Sequence, residues 1–565
     1  MNESLTYKTE KRIYDFLPHE PEMMATVLFI IGMSIYYLWR MFAITPQYEE
    51  LYTYYNYISR GPIQAALTWP SPNNHVGYSV LSSIVDMFTD SFIGLRGISY
   101  VCAVSNLILV NRICRRYYSH WIPFGAMLLY ASMQIVNEYS VQGRGYTMAT
   151  SCFLMSVYIA GYICSVEEAG PIYYIWLGFS FALGMYTVPS STYWVVPVFT
   201  AISLYLLINA IRSKDLYIKA TNNAYVRKFI KFFKSTVIAA FIDLLLYGMI
   251  WLHEGSRILI EDETSAYAGL DRGTVLVRAP VTTLLTGIRY MRNTPYVRSV
   301  SPERFDQQYF GWSFSLYDYM LPGLGVFLLV IVLFSLILAI MECVRHFAYS
   351  RTVINLLMVC NILIPSLMLY VSKKLPYLKT FSYGAFVTTL SFATVVETLI
   401  NGGIRIYNRH KQTPAAGDAK AVHREIETVY RDDRWFSGIG IYLPILISII
   451  FFVYRALSAD FNMQLGEREN DLFNTLYIAD VEKRQNPAVL DCDQQYLLKF
   501  GWDIDCEKTD VQGADCVIID KDMLEPGRTG DNKWKFYRDY DTIDWDYIET
   551  MHPIYENENF ILYVK

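Results

Sequence analysis

Two adjacent glutamates, Glu49 and Glu50, sit in the stretch TPQYEELYTYYNYISRGPI (45–63), and His75 lies in the stretch that follows, LTWPSPNNHVGYSVL (67–81). A carboxylate within reach of a hydroxyl can take its proton and prepare it for attack, and a histidine nearby can share that work or bind a ligand. Tyr52 and Asn74 stand beside these residues and count with them as substrate-binding candidates. A solvated surface helix capped by Asn73 or Asn74 would use the same residues without any chemistry.

These residues must be positioned by membrane helices. The chain is 53% hydrophobic and only 18% charged, where a soluble protein of this size carries about a quarter. The apolar residues come in blocks such as MATVLFIIGMSIYYLWRMFA (24–43), and roughly 20 apolar residues span a bilayer core. Eleven spans are expected: 24–43, 94–113, 121–138, 146–163, 171–189, 191–211, 229–252, 319–343, 351–371, 378–400 and 438–456. The 23 residues before the first are polar, and no small-residue cleavage site follows it, so this span is expected to be an uncleaved anchor.

Loop charge sets the expected orientation. Lys and Arg number six in 212–231, seven in 401–437 and three in 111–120. All three segments are cytoplasmic when the N-terminus is inside and eleven spans cross. A further apolar stretch, 76–90, contains Asp86; its fifteen residues would cover about 23 Å as a helix, and a full crossing would turn both richest basic loops outward, so it is expected to dip into the outer leaflet or lie on it, a real twelfth span being the alternative. Loops 44–93 and 253–318 and the tail then face outward.

The expected division is a transmembrane part, 1–456, and a soluble domain, 457–565. The tail holds 24 acidic and 11 basic residues. ADCVIID (514–520) and NFILYVK (559–565) read as strands and QQYLLKF (494–500) as a helix, which makes a small α/β domain. Cys492, Cys506 and Cys516 leave room for one disulfide there. Segment 410–425 reads as a polar cytoplasmic loop. Neither standard phosphate-binding glycine spacing is present, and no nucleic-acid partner is expected.

The pattern acidic–acidic–x–Tyr–Thr, then about 25 residues on an Asn-His before an apolar helix, resembles the first outer loop of GT-C glycosyltransferases. It is most similar to bacterial relatives of protein O-mannosyltransferases and of aminoarabinose transferases. Glu49-Glu50 stand for the family's acidic pair and His75-Val76-Gly77-Tyr78 for its closing stretch. The two family prolines are absent there, and Glu49 replaces the usual Asp. NEYSVQGRGYTMATSCFLMSVYIAG (137–161) resembles the family's Arg-x-Tyr element through Arg144 and Tyr146. KKLPYLKTFSYGAFV (373–387) resembles its Pro-x-x-Arg/Lys-x-x-x-Tyr element, with Lys373, Lys374, Lys379 and Tyr383.

The resemblance implies transfer of a sugar from a polyprenyl-phosphate carrier to a lipid, glycan or protein acceptor. It makes Glu49 the base and Glu50 its supporting or metal-binding partner. His75 would bind acceptor or metal, and Arg144 and the three lysines would meet the carrier phosphate. Apart from the resemblance, the long loop 253–318, which also holds Glu254, Glu261 and Asp262, offers Arg257 or Arg298 as an aid to phosphate binding. A divalent metal at Glu50 and His75 is left open, because some GT-C members use one and some do not. Two other readings compete: a transporter or flippase for a lipid-linked or anionic substrate, and a non-catalytic assembly protein that binds through its tail.

Overall fold

The computed structural model describes residues 20–68, 74–118, 121–213, 223–250, 302–345, 351–411, 439–458, 466–506, 509–524 and 542–565, with 253, 278, 281, 297–298, 347, 461 and 536–537 between them. Asn73, Glu254, Arg257, Glu261, Asp262 and most of segment 410–425 lie outside these residues.

The protein is a polytopic helical membrane protein with a small C-terminal α/β domain. Each expected span falls on a helix. Seven of the described helices are long and apolar enough to cross a membrane by length and composition, among them Pro21–Ala43, Ser91–Tyr117, Tyr146–Ser165 and Gly325–Arg345. Several boundaries differ from expectation, each for a local reason. The 121–138 span breaks at Met133, whose extended backbone (ψ 134°) separates Ile122–Ser132 from Gln134–Tyr139. The 319–343 span starts later, at Gly325, because Tyr319 and Met320 still belong to the preceding helix Phe305–Met320 and Gly323, with φ +79°, turns the chain. A left-handed residue of that kind is readily supplied by glycine. The 76–90 stretch forms the helix Val76–Asp86, only 11 residues long.

The chain folds as two compact units. The first comprises Met1–Tyr36, Val101–Ser140 and Gly145–Ser458. Its centre is the helix Tyr146–Ser165, buried along most of its length. Phe153 packs there against Trp194, Tyr383 and Phe386, with ring centroids 5.2–6.1 Å apart. Gly184 faces Trp194 so closely that a Cβ would lie 2.4 Å from the indole. Gly325–Arg345 instead exposes Val326, Val330, Leu333 and Ile337, an apolar face suited to lipid.

The second unit comprises Tyr37–Tyr100, Val141–Arg144 and Ala459–Lys565. Its sheet runs Pro487–Ala488, Cys516–Asp520, Phe560–Val564, His552–Glu556, the first pair parallel and the rest antiparallel. Cys516–Asp520 is buried throughout, so the sheet is covered on both faces at this strand. Alternation along a strand sends neighbours to opposite faces. Cys516 and Ile518 accordingly join Leu472, Leu476, Leu497 and Leu498 of the helices Glu467–Ile478 and Cys492–Trp502. Val517 and Ile519 join Met523, Ile543 and Ile548 on the other side. Leu51, from the stretch that follows the first span, is buried in the first of these clusters. The expected tail strands and helix are all present, at slightly shifted bounds. Among the described residues no cysteines are joined in a disulfide, and burial pushes the Cys516 thiol up to about 12.

Candidate active site

Glu49 and Glu50 lie on the short helix Tyr48–Thr53, which continues as a π-helical turn, Tyr54–Ile58. Two residues apart in role but adjacent in sequence, they point into different surroundings. Glu50 is fully buried. Its Oε1 accepts from Arg96 Nε at 2.8 Å and from the Gly143 N–H at 2.6 Å. Its Oε2 accepts from Arg96 Nη2 at 2.8 Å and from the Gln47 N–H at 3.0 Å. A carboxylate offers about four lone-pair sites, and these four donors fill them. The bidentate fork to arginine fixes direction as well as charge.

Arg96 does more than neutralise Glu50. Its Nη1 donates to Met41 O at 2.9 Å and Ile44 O at 2.6 Å, the carbonyls at the C-terminal end of the first span. Helix-terminal carbonyls lack intrahelical partners, and a cation there is favourable. One buried guanidinium thus ties the end of the first span to the helix that carries the glutamates. Arg40 adds a second tie, Nη1 to Phe461 O at 2.6 Å, and the Asn470 side chain accepts from the Thr45 N–H at 2.8 Å. Gly466, φ +75°, passes so close to Thr45 that a Cβ would meet its carbonyl oxygen at 2.6 Å.

Glu49 is different. Its side chain is 37% exposed, and one oxygen lies 3.5 Å from Arg144 Nη2, a guanidinium that is itself buried. Arg144 Nη1 also donates to Thr53 Oγ1 at 3.0 Å, while that hydroxyl donates to Glu49 O at 2.8 Å. The bend that delivers Arg144, residues 141–144, is held by Ser99 Oγ donating to Gln142 O at 2.6 Å and by Gln142 Nε2 donating to Gln47 Oε1 at 3.0 Å. Gly143 is the tight point. A Cβ on it would stand 2.5 Å from Leu95 Cδ1 and 3.2 Å from Glu50 Oε1. Gly143→Ala is therefore expected to cost about 1–3 kcal/mol through overpacking. It should also displace Arg144, so that thermal unfolding in detergent and the transfer rate fall together; an unchanged melting curve would count against this geometry.

The other expected residues fall into two groups. In this same unit, Tyr52 packs its ring against Tyr48, Tyr57 and Tyr496 at 5.9–6.3 Å. Asn74 is buried, and its amide donates to Ala65 O and Thr68 O, closing the end of the helix Pro62–Leu67. His75 is fully buried at the N-cap position of Val76–Asp86. Burial, with Asp86 alongside, holds the Tyr54 phenol above its ordinary value, and burial does the same for Tyr55.

In the first unit, Tyr146 opens the helix Tyr146–Ser165, its ring 5.3 Å from that of Tyr139. Lys379 faces the Tyr146 and Tyr377 rings at 6.0 and 5.9 Å. Lys373 has a left-handed backbone (φ 52°) and sets its ammonium 3.8 Å from the Tyr370 ring and 4.4 Å from Phe305. Lys374 is half-buried. Tyr383 is buried and donates to Tyr193 O at 3.0 Å. Arg298 stands in register with Leu375 in a two-residue antiparallel pairing.

Sequence reading missed Arg96, Gln47, Thr53 and Gly143. A signal for Arg96 was available: an arginine near the start of an apolar span needs a buried partner. It also missed the first unit's Glu138, which accepts from Tyr319 OH at 2.6 Å.

The open question of a metal can be set against the donor set. Glu50 has its lone pairs committed to N–H donors. Among the described residues no three His, Cys, Asp or Glu side chains gather as a metal site requires. The residues present do not fit a cation held by Glu50 and His75.

Residues 76–225 match the profile of a family described as dolichyl-phosphate-mannose-protein mannosyltransferase. That family is of the GT-C type, so the match supports a GT-C membrane glycosyltransferase. The matched stretch supplies Arg96, Gly143, Arg144 and Tyr146 of the arrangement above, while Glu49 and Glu50 precede it. The resemblance read from the sequence points to the same superfamily, through Arg144 and Tyr146 inside the matched stretch and through Glu49-Glu50 and residues 373–387 outside it. No curated protein matches the chain.

Proposed function

We propose that this protein transfers a sugar from a polyprenyl-phosphate carrier to an acceptor hydroxyl at the outer face of the membrane, with Glu49 as the base. The observation that carries the reading is the division of labour within the acidic pair. Glu50 is saturated by Arg96 and two backbone N–H groups, whereas Glu49 is partly exposed and steered by Arg144. The GT-C character of residues 76–225 supports the carrier class.

The reaction is a single displacement. The acceptor oxygen attacks the anomeric carbon, the bond from that carbon to the phosphate oxygen breaks, and the hydroxyl proton passes to the Glu49 carboxylate. The phosphate leaves as an anion, so a strong general acid is unnecessary, and one carboxylate suffices where glycoside hydrolases need two. The anomeric configuration inverts. Glu50 acts as a positioning residue through the helix it shares with Glu49. Lys373, Lys374 and Lys379 are the proposed contacts for the carrier phosphate, a role that suits the compact point charge of an ammonium group. The tail domain lies on the outer face with the loop it packs against.

The test uses purified full-length protein in detergent, without a sealed membrane, supplied with a polyprenyl-phosphate sugar and a membrane extract as acceptor source. Release of polyprenyl phosphate with transfer of the sugar is the expected result. A transporter or flippase has no compartment to work between in that mixture and would leave the donor intact.

A further inference from the structure

The second unit contains a cleft of about 700 Å³ bounded by the π-helical turn after Glu49 and by the tail helix Cys492–Trp502 with the residues that follow it. Its wall is aromatic. Tyr55 and Tyr496 lie nearly parallel, 16° apart with centroids at 5.7 Å, and Tyr54 meets Tyr55 edge-on at 5.1 Å. Its rim is polar. Lys499 Nζ lies 2.7 and 2.8 Å from the two Asp505 oxygens and 5.4 Å from the centre of the Tyr55 ring. Asp503, Arg60 and Gln495 also line it.

Two features decide what such a cleft takes. Its formal charges cancel, with Arg60 and Lys499 against Asp503 and Asp505, and one of those cations is already paired inside the cleft. A phosphate or other anion would meet carboxylates without an uncommitted excess of positive charge. A neutral ligand rich in hydroxyls faces no such cost. Carboxylates present paired acceptors and an amide a donor beside an acceptor, each in a plane, which suit adjacent hydroxyls, and flat tyrosine faces cover the C–H side of a sugar ring. The cleft also continues the chain from the proposed base: Tyr48 and Tyr52, on the Glu49 helix, pack against Tyr496 at 5.7 and 6.3 Å.

We propose that this cleft is a binding site for a neutral oligosaccharide, built jointly by the first loop and the tail, and that it holds the acceptor as a glycan. The identification of the ligand as acceptor rests on the glycosyltransferase reading; the binding of a neutral sugar does not.

Saturation-transfer NMR on the full chain in nanodiscs tests it, without donor. The probes are neutral trisaccharides of mannose, glucose and galactose, with a sialylated trisaccharide and inorganic phosphate beside them. At least one neutral trisaccharide should bind. Tyr55→Ala and Asp505→Asn should each weaken it about tenfold, corresponding to about 1.4 kcal/mol. Asp503→Asn is a third variant whose fold is protected, because Asn tolerates the left-handed backbone that Asp503 adopts at φ 56°. Melting curves identify any variant that fails to fold. Binding of the anionic probes alone, binding of no sugar, or equal binding by all folded variants would overturn the proposal. Sugar binding without glycosyl transfer would sink the enzymatic reading and leave the site; transfer without sugar binding would do the reverse.

Discussion

Replacing Glu49 by Gln is expected to lower glycosyl transfer by about 10²–10⁴-fold, the range for loss of a positioned base, while the protein folds as before. The amide keeps the shape of the carboxylate and can still accept a hydrogen bond from Arg144, but it cannot take the acceptor proton. Glu49 is partly exposed, and its ion pair with Arg144 is 3.5 Å long. Arg144 is buried but keeps its hydrogen bond to Thr53, and the amide can still accept from it, so the loss of stability should stay well below the about 3–5 kcal/mol of a fully buried pair that is broken. Steady-state rates with saturating donor, beside a melting curve, separate the two effects. A variant that keeps full transfer removes Glu49 as base.

The second large effect is expected at the pair behind it. Arg96 and Glu50 are 2% and 0% exposed and share two hydrogen bonds at 2.8 Å. Removing one member leaves the other charge buried alone, which costs about 3–5 kcal/mol. Glu50→Gln and Arg96→Met should each lose that much. The double variant should lose much less than the sum, because neither charge is then stranded. Arg96→Lys should fail to rescue. An ammonium cannot span both Glu50 oxygens while also reaching the carbonyls of Met41 and Ile44. Transfer should fall in the single variants even where some protein folds, because the helix carrying Glu49 loses its anchor. Unfolding curves in detergent for the four proteins check this, and additive losses would mean that the two side chains do not act as a pair.

Much of the fold was legible because a bilayer demands long apolar helices, and their periodic blocks are written along the chain. The breaks were less legible. Met133 lies in a run as apolar as its flanks, and nothing local to it announces the extended backbone. The tail strands could be read because β-branched and aromatic residues cluster between turn residues, and Cys516–Asp520 and Phe560–Val564 pair as such segments should. At the site, Glu49 and Arg144 were visible from residue type and order. Their direct contact was not, since 95 residues separate them in sequence. Arg96 was harder still: it stands inside an apolar span, and only the folded chain shows that Glu50 is its partner, 46 residues away. The role of the tail was hidden for the same reason. Tyr496 reads as an ordinary helix residue until the loop tyrosines are packed against it.

Mass spectrometry of the glycans and glycolipids of cells carrying either the wild-type chain or Glu49→Gln at equal abundance tests the central claim most directly. Glu49 as base in sugar transfer predicts a product one sugar heavier in the wild type and missing from the variant, with its unmodified acceptor accumulating instead. The same glycans in both cell lines, with the variant protein folded and present, would contradict it.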